Sequence, residues 1–534
     1  MHRALALGLL LAASAAAGQA DQRRAGTGPV RFDTSCDPTT RATFTDGVAQ
    51  LHSFEFPAAV RAFDAVLAAD STCAIAYWGL AVSAWGNPFA AGIKPNGQLE
   101  RGLALVQRGR TLDRGTERER AYLAAVGRLY DRFRETSQTT RLGAYRDALG
   151  ALAARYPDDD EAAIFHAMAL AIAADPNDKS YEAQRRAGRI LERLSSRLPN
   201  HPGIAHYLIH AYDIPALARE GLPAANSYAR IAPTSSHALH MPSHTYTRVG
   251  KWSESIATNV RSARVAAEVK SFAEALHASD YLMYAYLQTG QDAAARRVLD
   301  SLPSYARQFD PTLTSAGAPP AAGFFAMAAI PARYALERGD WKGAARLSVR
   351  ETSFPFTDAI TWFARGIGAA RSADTTVAAD AVRHLAALRD KLSEGGEGYW
   401  TQQVDIQRRG VAAWLAFARG AKSQGLTEMR ATADLEATTE KNAMTPGPIV
   451  PARELLGEML LAAGDAAGAL QAFEATLLTE PDRFRAIAGA MRAAQAAGDS
   501  AGVRRYAQEL SRVAERGDRP GRAELVKARA MAGR

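Results

Sequence analysis

The stretch from Pro451 to Leu510, PARELLGEMLLAAGDAAGALQAFEATLLTEPDRFRAIAGAMRAAQAAGDSAGVRRYAQEL, decides the fold. Apolar residues return every three to four positions, the spacing that stripes one face of an α-helix. Gly464-Asp465 and Gly498-Asp499 break the stripes, and Pro481 falls between them. These are turn residues, each for its own backbone reason. With the small residues Gly457 and Gly489 they recur at a period of about 34 residues. Each period therefore holds two apolar-striped helices joined by a tight Gly-Asp turn.

This unit resembles the tetratricopeptide repeat, whose helix pairs stack into a right-handed superhelix. The same grammar returns in VGKWSESIATN (Val249 to Asn259), TGQDAAARRVL (Thr289 to Leu299) and RGDWKGAARL (Arg338 to Leu347). It returns more loosely in FEFPAAVRAFDAVLAAD near the N-terminus, followed by CAIAYWGLAVSAWGNP. The expectation is an all-α, right-handed solenoid of roughly ten to twelve helical hairpins. The phrases YWGLAVSAWGNP, HALHMPSHTYTRVG and TPGPIVPAREL also look like those of a group of secreted bacterial tetratricopeptide proteins of unassigned function.

Residues 1–20 read as a secretory signal peptide: Met1-His2-Arg3, an apolar run from Ala4 to Ala17, then small residues around Ala15, Ala17 and Ala20. That points to the periplasm or the cell exterior. Residues 21–40 form an N-terminal arm, residues 41–302 an N-terminal lobe and residues 323–534 a C-terminal lobe. Between the lobes, residues 303–322 (PSYARQFDPTLTSAGAPPAA) read as a long loop, and residues 441–451 (KNAMTPGPIVP) interrupt the helices again. No later segment is long and apolar enough to span a membrane. Cys36 and Cys73 are the two cysteines, a disulfide candidate in an oxidising compartment; the alternative is two buried thiols. The net charge of +8 is scattered in short Arg pairs rather than one basic tract, which argues against a nucleic-acid partner.

Chemistry concentrates in the histidines. Seven of eleven lie between His201 and His277, and six of those seven follow helical spacing. His206 and His210 precede Asp213; His237, His240 and His244 follow in HALHMPSH; His277 precedes Asp280. Residues three and four apart share a helix face. The tetratricopeptide resemblance implies that the first helix of each pair lines a concave groove. In that register all eight residues, with Arg248 and Tyr284, project from one side of three adjacent helices. Arg333, Glu454 and Glu458 are assigned to the same groove as binding residues, while Ser243 takes a packing place. His52 and His166 read as solitary structural residues.

Imidazole with carboxylate suits Zn, Cu or Fe, as one or two ions. The Glu of an H-E-x-x-H metalloprotease is missing, since Tyr207, Leu208 and Ile209 lie between His206 and His210. There is no phosphate loop, dinucleotide fingerprint, G-x-S-x-G or haem C-x-x-C-H motif. Two functions stay open. One is an exported scaffold whose groove binds a peptide, protein or small-molecule ligand and carries a His/Asp metal site. The other is a metal-dependent hydrolase or oxidoreductase with its centre on the groove wall.

Overall fold

In the computed structural model, residues 26–532 are described except Ala91, Asp113, Asn177, Thr314 and Ser315; the expected signal peptide lies outside them. Among the described residues every regular element is a helix. The helices Ala452–Ala463, Ala466–Thr479 and Phe484–Ala496 fall where the repeat puts them. Gly464 takes φ 89°, the left-handed conformation that ends a helix, and the carboxylate of Asp465 caps the next by accepting from the Gly468 amide.

Packing explains the other small residues. Phe473 is wedged between two glycines: a Cβ added at Gly457 would stand 2.8 Å from its ring, and one at Gly489 would stand 2.5 Å away. At the far end of the chain Phe63 sits between Gly47 and Gly79 in the same order, at 3.0 and 2.4 Å. One aromatic knob between two bare helix faces thus sets the hairpin spacing at both ends. The chain is an all-α stack of tetratricopeptide-like hairpins.

The two largest apolar clusters run from Phe32 to Tyr246 and from Ala273 to Ala528, with three smaller ones around Trp252, Ala263 and Leu276. Residues 303–308 complete the helix Asp292–Gln308, with Pro303 inside it. The stretch that follows runs inward: Gly317 lies flat on the His237 ring, and the Ala318 amide donates to Glu274 Oε2 at 2.7 Å.

The side of the helices that carries Asp213, Tyr281 and Arg333 is covered rather than open. Residues 441–451 cross it, and Arg333 donates to Thr445 Oγ1 and to the carbonyls of Gly447 and Pro448 at 2.8–3.0 Å. The C-terminal hairpins close on the middle of the chain. Trp252 Nε1 donates to the Asp482 carbonyl, the Phe484 amide to Gln288 Oε1, and Tyr284 Oη to Glu480. The residues expected in an open groove lie within this closure. Tyr284, Arg248, Arg333, Glu454 and Glu458 are all buried. They are spent on one another's neighbours: Glu454 on Arg483 and Arg485, and Glu458 on Arg371, Arg485 and Arg492.

Cys36 and Cys73 are joined, with Sγ–Sγ 1.97 Å. The bridge ties the N-terminal arm to the start of the helix Ala74–Trp85. Among the described residues no helix is long and apolar enough to cross a membrane.

A candidate metal centre of buried histidines

Four helices bring the six histidines together. Pro202–Ala211 carries His206 and His210, and Phe272–Gln288 carries His277. The HALHMPSH segment forms two short helices, Ser236–His240 and Pro242–Arg248, with Pro242 at the first position of the second. Proline has no N–H to donate, so it starts the second helix instead of continuing the first. None of the six is more than 9% exposed. They divide into two triads, His240/His244/His277 and His206/His210/His237, each with one nitrogen per residue within 4.8 Å of the others.

In the first triad the hydrogen bonds fix the tautomers. His244 Nδ1 lies 2.9 Å from Asp213 Oδ2, so Nδ1 carries the proton and Nε2 the lone pair. His240 Nδ1 lies 2.7 Å from Asn259 Oδ1. The Asn259 amide cannot turn over, because its Nδ2 donates to the Ser255 carbonyl at 2.8 Å. His240 therefore also presents a bare Nε2, and the two Nε2 atoms face each other at 3.0 Å. Tyr281 Oη lies over the His244 ring but donates to the carbonyls of Ala443 and Thr445. His277 completes the group, its Nδ1 without a hydrogen-bond partner in the protein. Burial holds all three imidazoles below their ordinary range, His244 at about 4 and His277 at about 3, with neighbouring histidines adding to the shift. They are neutral at pH 7, the form that coordinates metal.

In the second triad, His206 Nδ1 donates to the His52 carbonyl at 2.6 Å and His237 Nδ1 donates to Glu274 Oε1 at 3.0 Å. Phe89 stacks on His210 with ring centroids 3.9 Å apart. The Nε2 atoms of His206, His210 and His237 are all buried and have no partner in the protein. A cavity of about 20 Å³ touches members of both triads, lined by His210, His237, His244 and His277 with residues 317–319 and 442–444.

The two aspartates part company. Asp213 takes His244 on Oδ2 along with Lys441 at 2.7 Å, and Arg248 on Oδ1 at 2.9 Å. It orients an imidazole rather than facing the lone pairs. Asp280 lies outside the group, its carboxylate held by Arg333. His52 and His201 share Glu161 through their Nε2 atoms at 2.8 and 2.9 Å. That fixes His52, whose carbonyl in turn orients His206. His166 is half-buried and apart from the cluster.

Asn259, Glu274, Lys441, Tyr281, Phe54 and Phe89 went unread in the sequence as parts of this centre. Phe54 packs its ring on His206 and His237 and holds φ 54°, a conformation that favours glycine. Two further neighbours of the centre do lie in phrases that the sequence singled out. Asn87, whose Nδ2 donates to the Gly317 carbonyl, belongs to YWGLAVSAWGNP, and Thr445 opens TPGPIVPAREL. The three phrases quoted as a group meet around one centre.

No protein-family model matches the chain, and no curated protein matches it. Solved helical structures do. The crystal structure of the APC/C hetero-tetramer Cut9-Hcn1 is 12% identical over 92% of this chain and 96% of that one, with TM-score 0.29. An IFIT1 monomeric mutant with Gppp-AAAA is 9% identical over 82% and 90%, with TM-score 0.36. Naa15/Naa10 bound to HypK-THB is 10% identical over 92% and 80%, with TM-score 0.25. At such values the likeness carries no property of those proteins across.

Proposed function

We propose that this chain is an exported helical-repeat metalloprotein that holds a transition-metal ion between His240, His244 and His277. The observation that carries the reading is the 3.0 Å separation of two Nε2 atoms whose Nδ1 protons are both committed to oxygen acceptors. Two lone pairs at that distance repel unless a proton or a cation lies between them. Burial disfavours the proton. Two nitrogens sharing one Zn²⁺ at 2.0–2.1 Å stand roughly 3.0–3.5 Å apart, which matches. An all-imidazole set with no thiolate supports Zn, Cu or Fe. When bound, such an ion supplies Lewis acidity or electron transfer. The chain's own part is to fix the imidazoles through Asp213 and Asn259 and to keep water out with residues 317–319 and 441–448.

The export half of the reading rests on residues 1–20, and the Cys36–Cys73 bridge agrees with an oxidising compartment. A second reading, a metal-dependent enzyme, draws on one observation. A cavity of about 220 Å³, lined by Arg248, Tyr399, Trp400, Glu436, Lys441 and Glu480, shares Lys441 and Arg248 with Asp213. It is smaller than the ~300 Å³ at the lower end of drug-sized sites. That favours a small molecule over a peptide as any ligand beside the centre.

Metal content of the purified full chain tests the proposal. Wild type is expected to carry a stoichiometric ion, and His244→Ala to lose the one held by this triad while keeping its helix content. Wild type that binds no ion, as purified or after addition of Zn²⁺ or copper, overturns it.

A further inference from the structure

The second triad is built like the first but from different residues, and it raises its own question. His206, His210 and His237 each bring one ring nitrogen within 4.8 Å of the others, and the Nε2 atoms of all three are buried with no hydrogen-bond partner in the protein. A buried polar atom left unpaired bears an uncompensated desolvation penalty, so three in one cluster form a poor core unless something binds them. The tautomers are set for binding. His206 gives its Nδ1 proton to a backbone carbonyl and His237 gives its own to Glu274, the arrangement that orients metal-ligating imidazoles elsewhere.

Glu274 is itself held in place, by the Ala318 amide on Oε2 and His237 on Oε1. His210 is held flat by Phe89. Gly317 leaves no room for a side chain against the His237 ring, since a Cβ there would stand 2.2 Å from it. The rings are thus held in place while their Nε2 atoms stay unpartnered. A core that merely tolerated three histidines would not fix both backing groups.

We infer that His206, His210 and His237 form a second metal site, so that the chain carries two adjacent three-imidazole sites around the 20 Å³ cavity. The ligand class is a transition-metal ion that accepts neutral imidazole, Zn²⁺ or copper. This deepens the reading above but rests on separate residues, so each site stands or falls by its own variant.

The test is the metal-to-protein ratio of the full chain, loaded with Zn²⁺ in one arm and Cu⁺ in another, then freed of loose ions by gel filtration. Two ions per chain are expected for wild type, one for His210→Ala and one for His244→Ala. His210→Gln and circular dichroism of every variant separate loss of ligand from loss of fold. If wild type holds one ion and folded His210→Ala and His210→Gln still hold it, the second site is refuted and the first survives. If that single ion is lost with His210 and kept in His244→Ala, the second site stands and the first fails. No ion in any arm refutes both. The arm with the tighter retention identifies the ion.

Discussion

Arg333 Nε lies 2.9 Å from Asp280 Oδ1, and neither side chain is more than 1% exposed. The same guanidinium holds residues 445–448 through Thr445 Oγ1 and the carbonyls of Gly447 and Pro448. One buried pair therefore does two things. It withdraws from the histidine centre a carboxylate that helical spacing had placed beside His277, and it pins the segment that closes the centre from solvent.

Asp280→Asn should destabilise the protein by about 3–5 kcal/mol, because it leaves Arg333 buried without its counter-charge. Removing both charges, in Asp280→Asn with Arg333→Met, should recover part of that loss. Urea unfolding measures both. Metal content of the folded Asp280→Asn protein should stay at the wild-type value; its loss without loss of stability would make Asp280 a ligand after all.

Gly489→Ala should cost about 1–3 kcal/mol or more, since a methyl there meets the Phe473 ring at 2.5 Å. Gly79→Ala, at 2.4 Å from Phe63, should behave alike at the other end of the stack. Thermal melts of both variants check this. Indifference in either would mean that the aromatic knob does not set the hairpin spacing.

Those glycines show what was legible. The Gly-Asp turns and small packing residues act locally, so the sequence carries them openly, and the six histidines show themselves by helical spacing alone. What could not be read is which side of the stack meets solvent. The tetratricopeptide register correctly gathers His240, His244 and His277, and it treats their surface as a groove. The surface becomes interior only through contacts such as Trp252 with Asp482 and Arg333 with Pro448, between residues far apart in sequence. Spacing likewise cannot tell that Asp280 finds an arginine while Asp213 finds an imidazole. The outer partners Asn259 and Glu274 look like ordinary helix residues until the fold brings them behind a ring.

Acid should weaken the C-terminal hairpins through Glu458. Arg485, Arg492 and Arg371 outweigh its burial and hold its carboxyl at about 2, against 4.5 when unperturbed. The folded pKa is depressed, so the stabilisation is full above the unfolded value and is lost as pH falls from about 5 toward 2. The shift corresponds to roughly 3 kcal/mol. Glu458→Gln should therefore be less stable than wild type at pH 7, and the gap should narrow between pH 5 and 3. A gap that stays constant with pH would assign the loss to packing instead.

The Cys36–Cys73 bridge closes a loop with a sequence separation of 37 residues. On the chain-entropy estimate its reduction should lower stability by about 4 kcal/mol. Intact mass after alkylation without reductant should show no labelled thiol. Two labelled cysteines in protein recovered from the envelope would count against the bridge and against export.

Asp213 offers the sharpest distinction between a ligand and a group that orients one. Its Oδ2 receives the His244 Nδ1 proton while Lys441 and Arg248 hold the carboxylate from behind, so it acts on the centre only through the imidazole. Asp213→Asn keeps an oxygen for His244 but removes the charge that anchors the tautomer. Loss of such a backing group typically costs 10–100-fold in metal affinity. The expected result is that weakening at the His240/His244/His277 site with no change in the number of ions bound at saturation, read by competition with a chelator of known affinity. A fall in saturating stoichiometry would place Asp213 on the ion itself, and unchanged affinity would leave it a salt-bridge residue with no part in the centre.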